Sequence, residues 1–299
     1  MPNLYTNKES NIHKTWLLFA VFLMAVIGIG WVFTQIYGNP SILIFAVIFS
    51  IGMSITSYWF SDQIVLRMAN AEPVSRENAR ELYNVVENLA ITAGLPTPKI
   101  YIINEAAPNA FATGRDPQHA VVAVTTGLLE RLDRSELEGV IAHELSHVGN
   151  RDMLVSTVAV VLIGFLSIAS NFFMRSLWWG GGRRDDRNGD NGILLLIGIA
   201  FAILAPIVGT LMQLAISRKR EFLADSSGAL LTRYPDALIS ALEKISSDPT
   251  PLPVANNTTA HLWFEDPFKD GPRTSWLHKL FMTHPPVEER IAALKGLKV

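Results

Sequence analysis

The chain contains no cysteine. That excludes a disulfide framework and any thiolate metal site, and leaves His, Asp and Glu to hold a metal ion. It is compatible with a reducing compartment. Charge is scarce too. Of the 299 residues 17% are Asp, Glu, Lys or Arg, against about a quarter in soluble domains. Basic excess is also missing: the formal net charge is -2, which argues against a nucleic-acid-binding face. Internal repeats are absent, which excludes a solenoid.

What the chain has instead is long apolar runs. No Asp, Glu, Lys or Arg occurs between Lys14 and Asp62, a gap too long for one membrane span of about 20 residues. Gly38-Asn39-Pro40 interrupts it with a turn signal. The expectation is a transmembrane hairpin over 1–61, with helices at 16–37 and 41–60. Trp16, Trp31, Tyr37, Tyr58 and Trp59 stand near the ends of these runs, as an aromatic belt would. A cleaved signal peptide is disfavoured because a second apolar span follows at once and no small-residue cleavage site is visible. A second hairpin is expected within 153–217, with helices at 153–174 and 193–216. Pro206 and Gln213 suggest that its last helix is kinked or partly buried in protein. The lengths of these runs favour a bilayer over a buried soluble core.

Four transmembrane helices put the polar segments 62–152 and 218–299 on the same side, as two halves of one domain. In the first half, 75–93 shows helical spacing of Leu82, Val85, Val86, Leu89 and Ala90, with Ser75 as the expected N-cap. Residues 99–103 and 120–125 read as strands. Residues 128–149 read as a helix, with Ser135 and Glu138 placed as a capping box. The second half reads as helices over 217–232 and 235–246, a Pro- and Asn-rich loop, and a short helix after Pro285-Pro286. Lys8, Lys14, Arg67, Arg151, Arg218, Lys219 and Arg220 flank the spans on the domain side. Arg175, Arg183, Arg184 and Arg187 flank them on the other. The positive-inside rule therefore favours a cytoplasmic domain, where the sequons at Asn256 and Asn257 carry no meaning. The loop 175–192 is rich in Gly and charge.

The central chemical signal is His143-Glu144-Leu145-Ser146-His147. On a helix, residues i and i+4 share a face, so both imidazoles reach one metal ion. Glu144 then stands where it can take a proton from a water acidified by zinc and return it to a leaving amine. A match of five residues also arises by chance on surface helices. Here the apolar lead-in Val140-Ile141-Ala142 places it on a helix that packs. A catalytic zinc needs a third ligand. Glu221, just after the fourth apolar run, is a candidate, with Asp225 one turn on as a group that could receive an N–H from a ligand histidine. Spacing alone leaves open an ordinary solvated face with i,i+4 charge pairs for these two.

Taken together, several segments resemble the HtpX family of bacterial membrane zinc metalloproteases, distantly related to the CAAX prenyl proteases. They are Asn109-Ala110-Phe111-Ala112-Thr113-Gly114, the histidine motif followed by Gly149-Asn150-Arg151-Asp152, residues 217–225, and Thr283-His284-Pro285-Pro286 with Glu289-Arg290-Ile291. The resemblance runs from the first hairpin to the C-terminal helix. It implies an α-helical membrane protein with an α+β zincin-like catalytic domain and one Zn2+ per chain, held by His143, His147 and Glu221. Glu144 is then the catalytic residue of an endopeptidase in the bacterial inner membrane, with its active site facing the cytoplasm. The implied partners are the lipid bilayer and unfolded or membrane-protein substrates, in quality control under stress. The segment at Asn109 resembles one lining a substrate cleft, and residues 120–125 would be the edge strand to which a substrate adds. His284 resembles a histidine that stabilises an oxyanion, although a residue introducing a helix before Pro-Pro reads the same way. His13, His119, His261 and His278 are expected to be structural or on the surface. The rival reading is a non-catalytic zinc-binding membrane scaffold, which would have no need of Glu144. A prenyl-protein protease would need a larger bundle around an enclosed chamber, and a transporter would place its chemistry at the bilayer midplane.

Overall fold

The computed structural model describes residues 4–180, 217–256, 258–267 and 285–297. Two long helices open the chain, α1 (Leu4–Tyr37) and α2 (Ser41–Met68). Gly38, at φ 64°, turns the chain between them. They pack closely: a Cβ on Gly30 would lie 2.4 Å from the Cβ of Ala46. Both helices outrun the apolar stretches at 16–37 and 41–60. Lys8, Glu9, Gln63 and Arg67 propagate a helix as well as most apolar side chains do, so the first charge ends the apolar run and not the helix.

Among the described residues, Glu9–Gln35 within α1 and Ser41–Met68 are long and apolar enough to cross a membrane. Trp16, Met24, Trp31, Ile44, Phe45, Ile48 and Ile55 point outward and exposed. A soluble protein would not display so many together. The inward face of α1 places Leu18 and Phe22 against Val158 and Leu162 of α6 (Asp152–Gly180). The run expected at 193–216 lies outside the described residues.

The polar region is built on a four-stranded mixed sheet of β1 (Ala71–Pro73), β2 (Lys99–Ile103), β3 (Ala110–Thr113) and β4 (Val121–Thr125). The order is β1-β2-β4-β3, with β2 and β4 parallel and the outer pairs antiparallel. The segment expected as the edge strand, 120–125, is thus interior. All five residues of β4 are buried, and a strand buried on both faces reads as a continuous valine-rich run. The edge is β3.

Around the sheet lie α3 (Arg80–Thr92), α4 (Thr126–Arg131) and α5 (Arg134–Asn150). The remaining described helices are α7 (Arg218–Thr232), α8 (Pro235–Ser247) and α9 (Val287–Lys295). Helix α3 begins at Arg80, five residues later than the expected cap at Ser75. The N–H groups of Asn78 and Ala79 both donate to the Ser75 carbonyl, so Ser75 closes a turn of its own. The expected helix over 128–149 is two helices, parted where Leu132 is extended. The cap of α5 is correspondingly two residues earlier than the expected Ser135 and Glu138. Asp133 accepts from Glu136 N at 2.9 Å, and Glu136 accepts from Asp133 N at 2.8 Å. Glu138 instead pairs with Arg134 at i+4.

Helix α5 is the centre of the main core. Leu137, Val140, Ile141, Leu145 and Val148 pack with Val122 and Val124 of the sheet, Leu89 of α3, and Leu238 and Leu242 of α8. Glu136, buried on the same helix, also accepts from Ser240 at 2.6 Å and Lys244 at 2.7 Å on α8. One carboxylate thus caps α5 and docks α8. Asp133→Ala removes one cap bond at an exposed position and should cost less than the change at Glu136. Glu136→Ala removes three charge-assisted bonds and should cost roughly 2–3 kcal/mol. Thermal unfolding of the detergent-solubilised chain measures the order. Equal losses would show that α8 docks without Glu136.

Candidate metal centre

His143 and His147 occupy i and i+4 of α5, one turn apart on the face turned to α7. What brings the third group to them is a glycine. A Cβ on Gly228 would lie 2.9 Å from the backbone nitrogen of His143, a distance that only glycine avoids. With the two helices that close, the stripe Glu221, Asp225 and Gly228 (i, i+4, i+7) lies against the histidines. Glu221 Oε1 is 3.6 Å from His147 Nε2, and Oε2 is 3.8 Å from His143 Nε2. The two Nε2 atoms are 3.2 Å apart. His143, His147 and Glu221 form a group able to hold a metal ion, their ligand atoms all within 4.8 Å of one another.

The residues fit a zinc-type ion. Ligands about 2.0–2.1 Å from a tetrahedral zinc stand about 3.3 Å from each other, close to the 3.2, 3.6 and 3.8 Å found here. Two imidazoles and one carboxylate also make a three-ligand set of the kind that leaves a fourth position open for chemistry.

Each histidine is held from behind by an aspartate. His143 Nδ1 lies 2.9 Å from Asp225 Oδ1, and His147 Nδ1 lies 3.1 Å from Asp152 Oδ2. Asp225 is gripped in turn by Arg290 of α9, whose Nε and Nη2 donate to its two oxygens at 2.8 and 2.7 Å. Arg290 Nη1 donates to the Phe264 carbonyl at 3.0 Å. Arg290 is fully buried and Asp225 nearly so. Burial opposes ionisation of Asp225, but Arg290 and the His143 contact hold its carboxyl well below the usual range.

The two imidazoles differ. Burial pushes His143 down to about 4, against the pull of Asp225 and with help from the nearby His147 and Arg290. Partial burial lowers His147 too, yet the hydrogen bond to Asp152 and the carboxylates of Glu221, Asp152 and Glu144 outweigh that and raise it to about 9. A pair of facing nitrogens at 3.2 Å has room for one proton or one cation between them.

A small cleft of about 30 Å³ opens at the cluster, lined by Glu144, Ala112 of β3, Met153, Ser156, His261 and Trp263 among others. Glu144 is 2% exposed. His261, expected to be structural or on the surface, therefore stands at the cleft, with its Nε2 3.2 Å from the Ser156 carbonyl. It sits in a short 3-10 helix, Ala260–Leu262, with no spacing that ties it to α5. Asn109 is buried, and its amide is engaged with the backbone of Glu265, donating at 2.9 Å and accepting at 3.2 Å. Phe264 N donates to Ala110 O at 2.8 Å, so residues 264–265 run along one end of β3. His119 pairs with Asp116 at the surface, and His13 is exposed. His284 and His278 lie outside the described residues. Two groups went unassigned in the sequence. Asp152 was visible only as part of the motif that follows the histidines. Arg290 stood in the C-terminal motif, with nothing to say that its charge would be buried.

Fold and site define a membrane-associated metalloprotease, and similarity to known proteins gives the family. The sequence model of Peptidase family M48 matches residues 76–298. The chain belongs to this family and, within it, to the HtpX proteases. It is 45% identical over 301 residues to a Protease HtpX homolog of Caldanaerobacter subterraneus subsp. tengcongensis, covering 99% of this chain and 98% of that one. It is 48% identical over 286 residues to one from Pyrococcus furiosus, covering 95% of each. The crystal structure of S. mikatae Ste24p has a similar fold, with a TM-score of 0.50 at 19% identity. The match covers 94% of this chain and 66% of that one, just under two thirds.

Arg290→Met leaves the Asp225 carboxylate buried without its partner and should cost about 3–5 kcal/mol. Adding Asp225→Asn should recover a good part of that loss. A double-mutant cycle by thermal unfolding measures the coupling; strictly additive losses would show the two residues to be independent.

Proposed function

We propose that His143, His147 and Glu221 hold one zinc ion, and that Glu144 is the catalytic acid–base of an endopeptidase that cuts unfolded segments of membrane proteins. The observation that carries this is the arrival of Glu221, from a helix beyond the third apolar run, within 4 Å of both histidine Nε2 atoms. Zinc, when bound, acts as a Lewis acid and lowers the pKa of a water to about 7. Glu144, in the cleft wall beside His143, takes the proton of the attacking water and delivers it to the leaving amine. Asp225 and Asp152 fix the tautomers of the two imidazoles, so that Nε2 of each faces the ion.

Substrate binding falls to the edge strand. In the β3–β4 register, Ala110 and Ala112 are two residues apart and turn their backbone groups to the same side. Ala110 O already accepts from Phe264 N on that side. An extended substrate would add along Ala112, at the cleft. Asn109 would serve the same segment by releasing Glu265. The similarity to HtpX proteases supports His284 as an oxyanion-stabilising residue.

The same reading gives four transmembrane helices, adding to α1 and α2 the run that starts with α6 and the run at 193–216. The excess of Lys and Arg on the domain side puts the active site in the cytoplasm of a bacterial cell. There it would serve quality control by removing damaged membrane proteins. The scaffold alternative has no observation of its own, and the buried Glu144 stands against it.

Glu144→Gln should retain about one zinc per chain while cleavage of an unfolded membrane-protein substrate falls by about 10²–10⁴-fold. Zinc content and cleavage are read on the same purified samples; undiminished cleavage would remove Glu144 from the mechanism. Since the chain has no cysteine, single introduced cysteines report the topology. Asn88→Cys should react with an impermeant maleimide only in inside-out vesicles, and Asp186→Cys only in right-side-out ones. Both reacting from one side would overturn the four-span reading.

A further inference from the structure

The two histidines are supported in different ways. Behind His143, Asp225 is held by Arg290 within the polar region. Behind His147, the support comes from the first membrane helix. Arg151 adopts a left-handed conformation at φ 57°, ending α5. The next residue, Asp152, starts α6 with its carboxylate directed back at His147. Its Oδ2 lies 3.1 Å from His147 Nδ1. Its Oδ1 accepts from the side-chain amide of Asn11 on α1 at 2.5 Å. The same amide nitrogen donates to the Asn150 carbonyl, the last of α5, at 3.0 Å. Asn11 Oδ1 accepts from Arg220 Nη1 at 3.2 Å, and Arg220 Nε is 3.6 Å from Asp152 Oδ1. Asn11, Asn150 and Asp152 are each 2–3% exposed, and Arg220 8%.

We propose that Asn11 is a positioning residue of the metal centre: its amide fixes the Asp152 carboxylate that orients His147, so the first membrane helix is a structural part of the site. The chemistry favours an amide at this point. One side chain must donate to a carboxylate and a carbonyl while accepting from a guanidinium, and only an amide does all three without adding charge. With Oδ1 secured by Asn11, the carboxylate cannot rotate, and Oδ2 stays on the imidazole. Arg220 immediately precedes Glu221, so the same cluster also anchors the start of the helix that brings the third ligand. Groups that orient ligand histidines typically contribute 10–100-fold to metal affinity.

This inference rests on His147 being a ligand. The test is zinc affinity by chelator competition on the full chain in detergent, together with the visible spectrum of the cobalt(II)-substituted protein. Asn11→Asp keeps the shape and the Arg220 contact but replaces the N–H donor with a second carboxylate oxygen that repels Asp152. It should lower zinc affinity about 10–100-fold and shift the cobalt spectrum. Asp152→Asn should do the same, and serves if the Asn11 variant does not fold. Thr15→Val, which loses only a bond from Thr15 Oγ1 to the Asn11 carbonyl, should match wild type in both readouts. Wild-type affinity and spectrum in Asn11→Asp and Asp152→Asn would overturn the proposal. So would an equal loss in Thr15→Val, which would make the effect one of general stability. A wild-type chain that binds no metal would overturn the ligand assignment itself, and this inference with it.

Discussion

The backbone contact between α5 and α7 at Gly228 is the constraint from which the site follows. Glu221, Asp225 and Gly228 share one face of α7, so the approach that glycine permits also sets how far the two carboxylates reach. Any side chain at 228 would push α7 outward and carry Glu221 off the imidazoles. Glycine costs a helix interior roughly 0.5–1 kcal/mol relative to alanine, a small penalty beside the loss of the centre. Gly139, one turn before His143 on α5, lets α8 approach in the same way, with its added Cβ 3.1 Å from the Leu238 backbone. The helix that carries the histidines is thus held by two close helix approaches, each permitted by a glycine.

Buried charge is the second organising feature. Ions are expensive away from water unless paired and hydrogen-bonded. Here both aspartates behind the histidines are paired with arginines, Asp225 with Arg290 and Asp152 with Arg220. Geometry has to be good for such pairs to hold, which makes them exacting about position. Arg290 illustrates this: besides Asp225 it bonds the Phe264 carbonyl, and its guanidinium stacks over the Phe264 ring at 4.8 Å. Phe264 meets His143 edge-on at 5.0 Å. A C-terminal helix, a loop and the metal face are thereby joined through one side chain.

The membrane helices are not merely an anchor. Helix α6 begins at the bend of 84° after α5, so the site sits at the junction between the polar region and the apolar bundle. The core of that bundle, Leu18 and Phe22 against Val158 and Leu162, sets the position of α1 relative to α6. A displacement of α1 would be felt at Asp152. The edge strand is tied to the same bundle through Thr113 and Thr157, whose hydroxyls are 3.0 Å apart. The histidine face of α5 and the β3 edge therefore share one foundation.

Some of this was legible in the sequence for simple reasons. Apolar runs longer than a soluble core can use declare membrane helices. An i,i+4 histidine pair beside a glutamate points to a metal face, because helix periodicity alone puts the two imidazoles together. Strands β2 and β4 were legible from their valine and isoleucine content, whereas β1 and β3, which have neither residue, were not, and nor was the strand order. Strand order depends on pairing across the sheet, and the valine-rich run of β4 does not name its neighbours. The caps at Ser75 and Ser135 were misplaced because several polar residues near each helix start can serve, and the choice falls to contacts with distant helices, as Glu136 shows through Ser240 and Lys244. Glu221 could be named from spacing only as a candidate, since local sequence does not say which helix faces which. The roles of Asp152, Arg290, Asn11 and His261 were decided by tertiary structure alone. Apart from His147, five residues before Asp152, their partners lie tens of residues away or more, and only packing sets which polar groups lose water together and so must find one another.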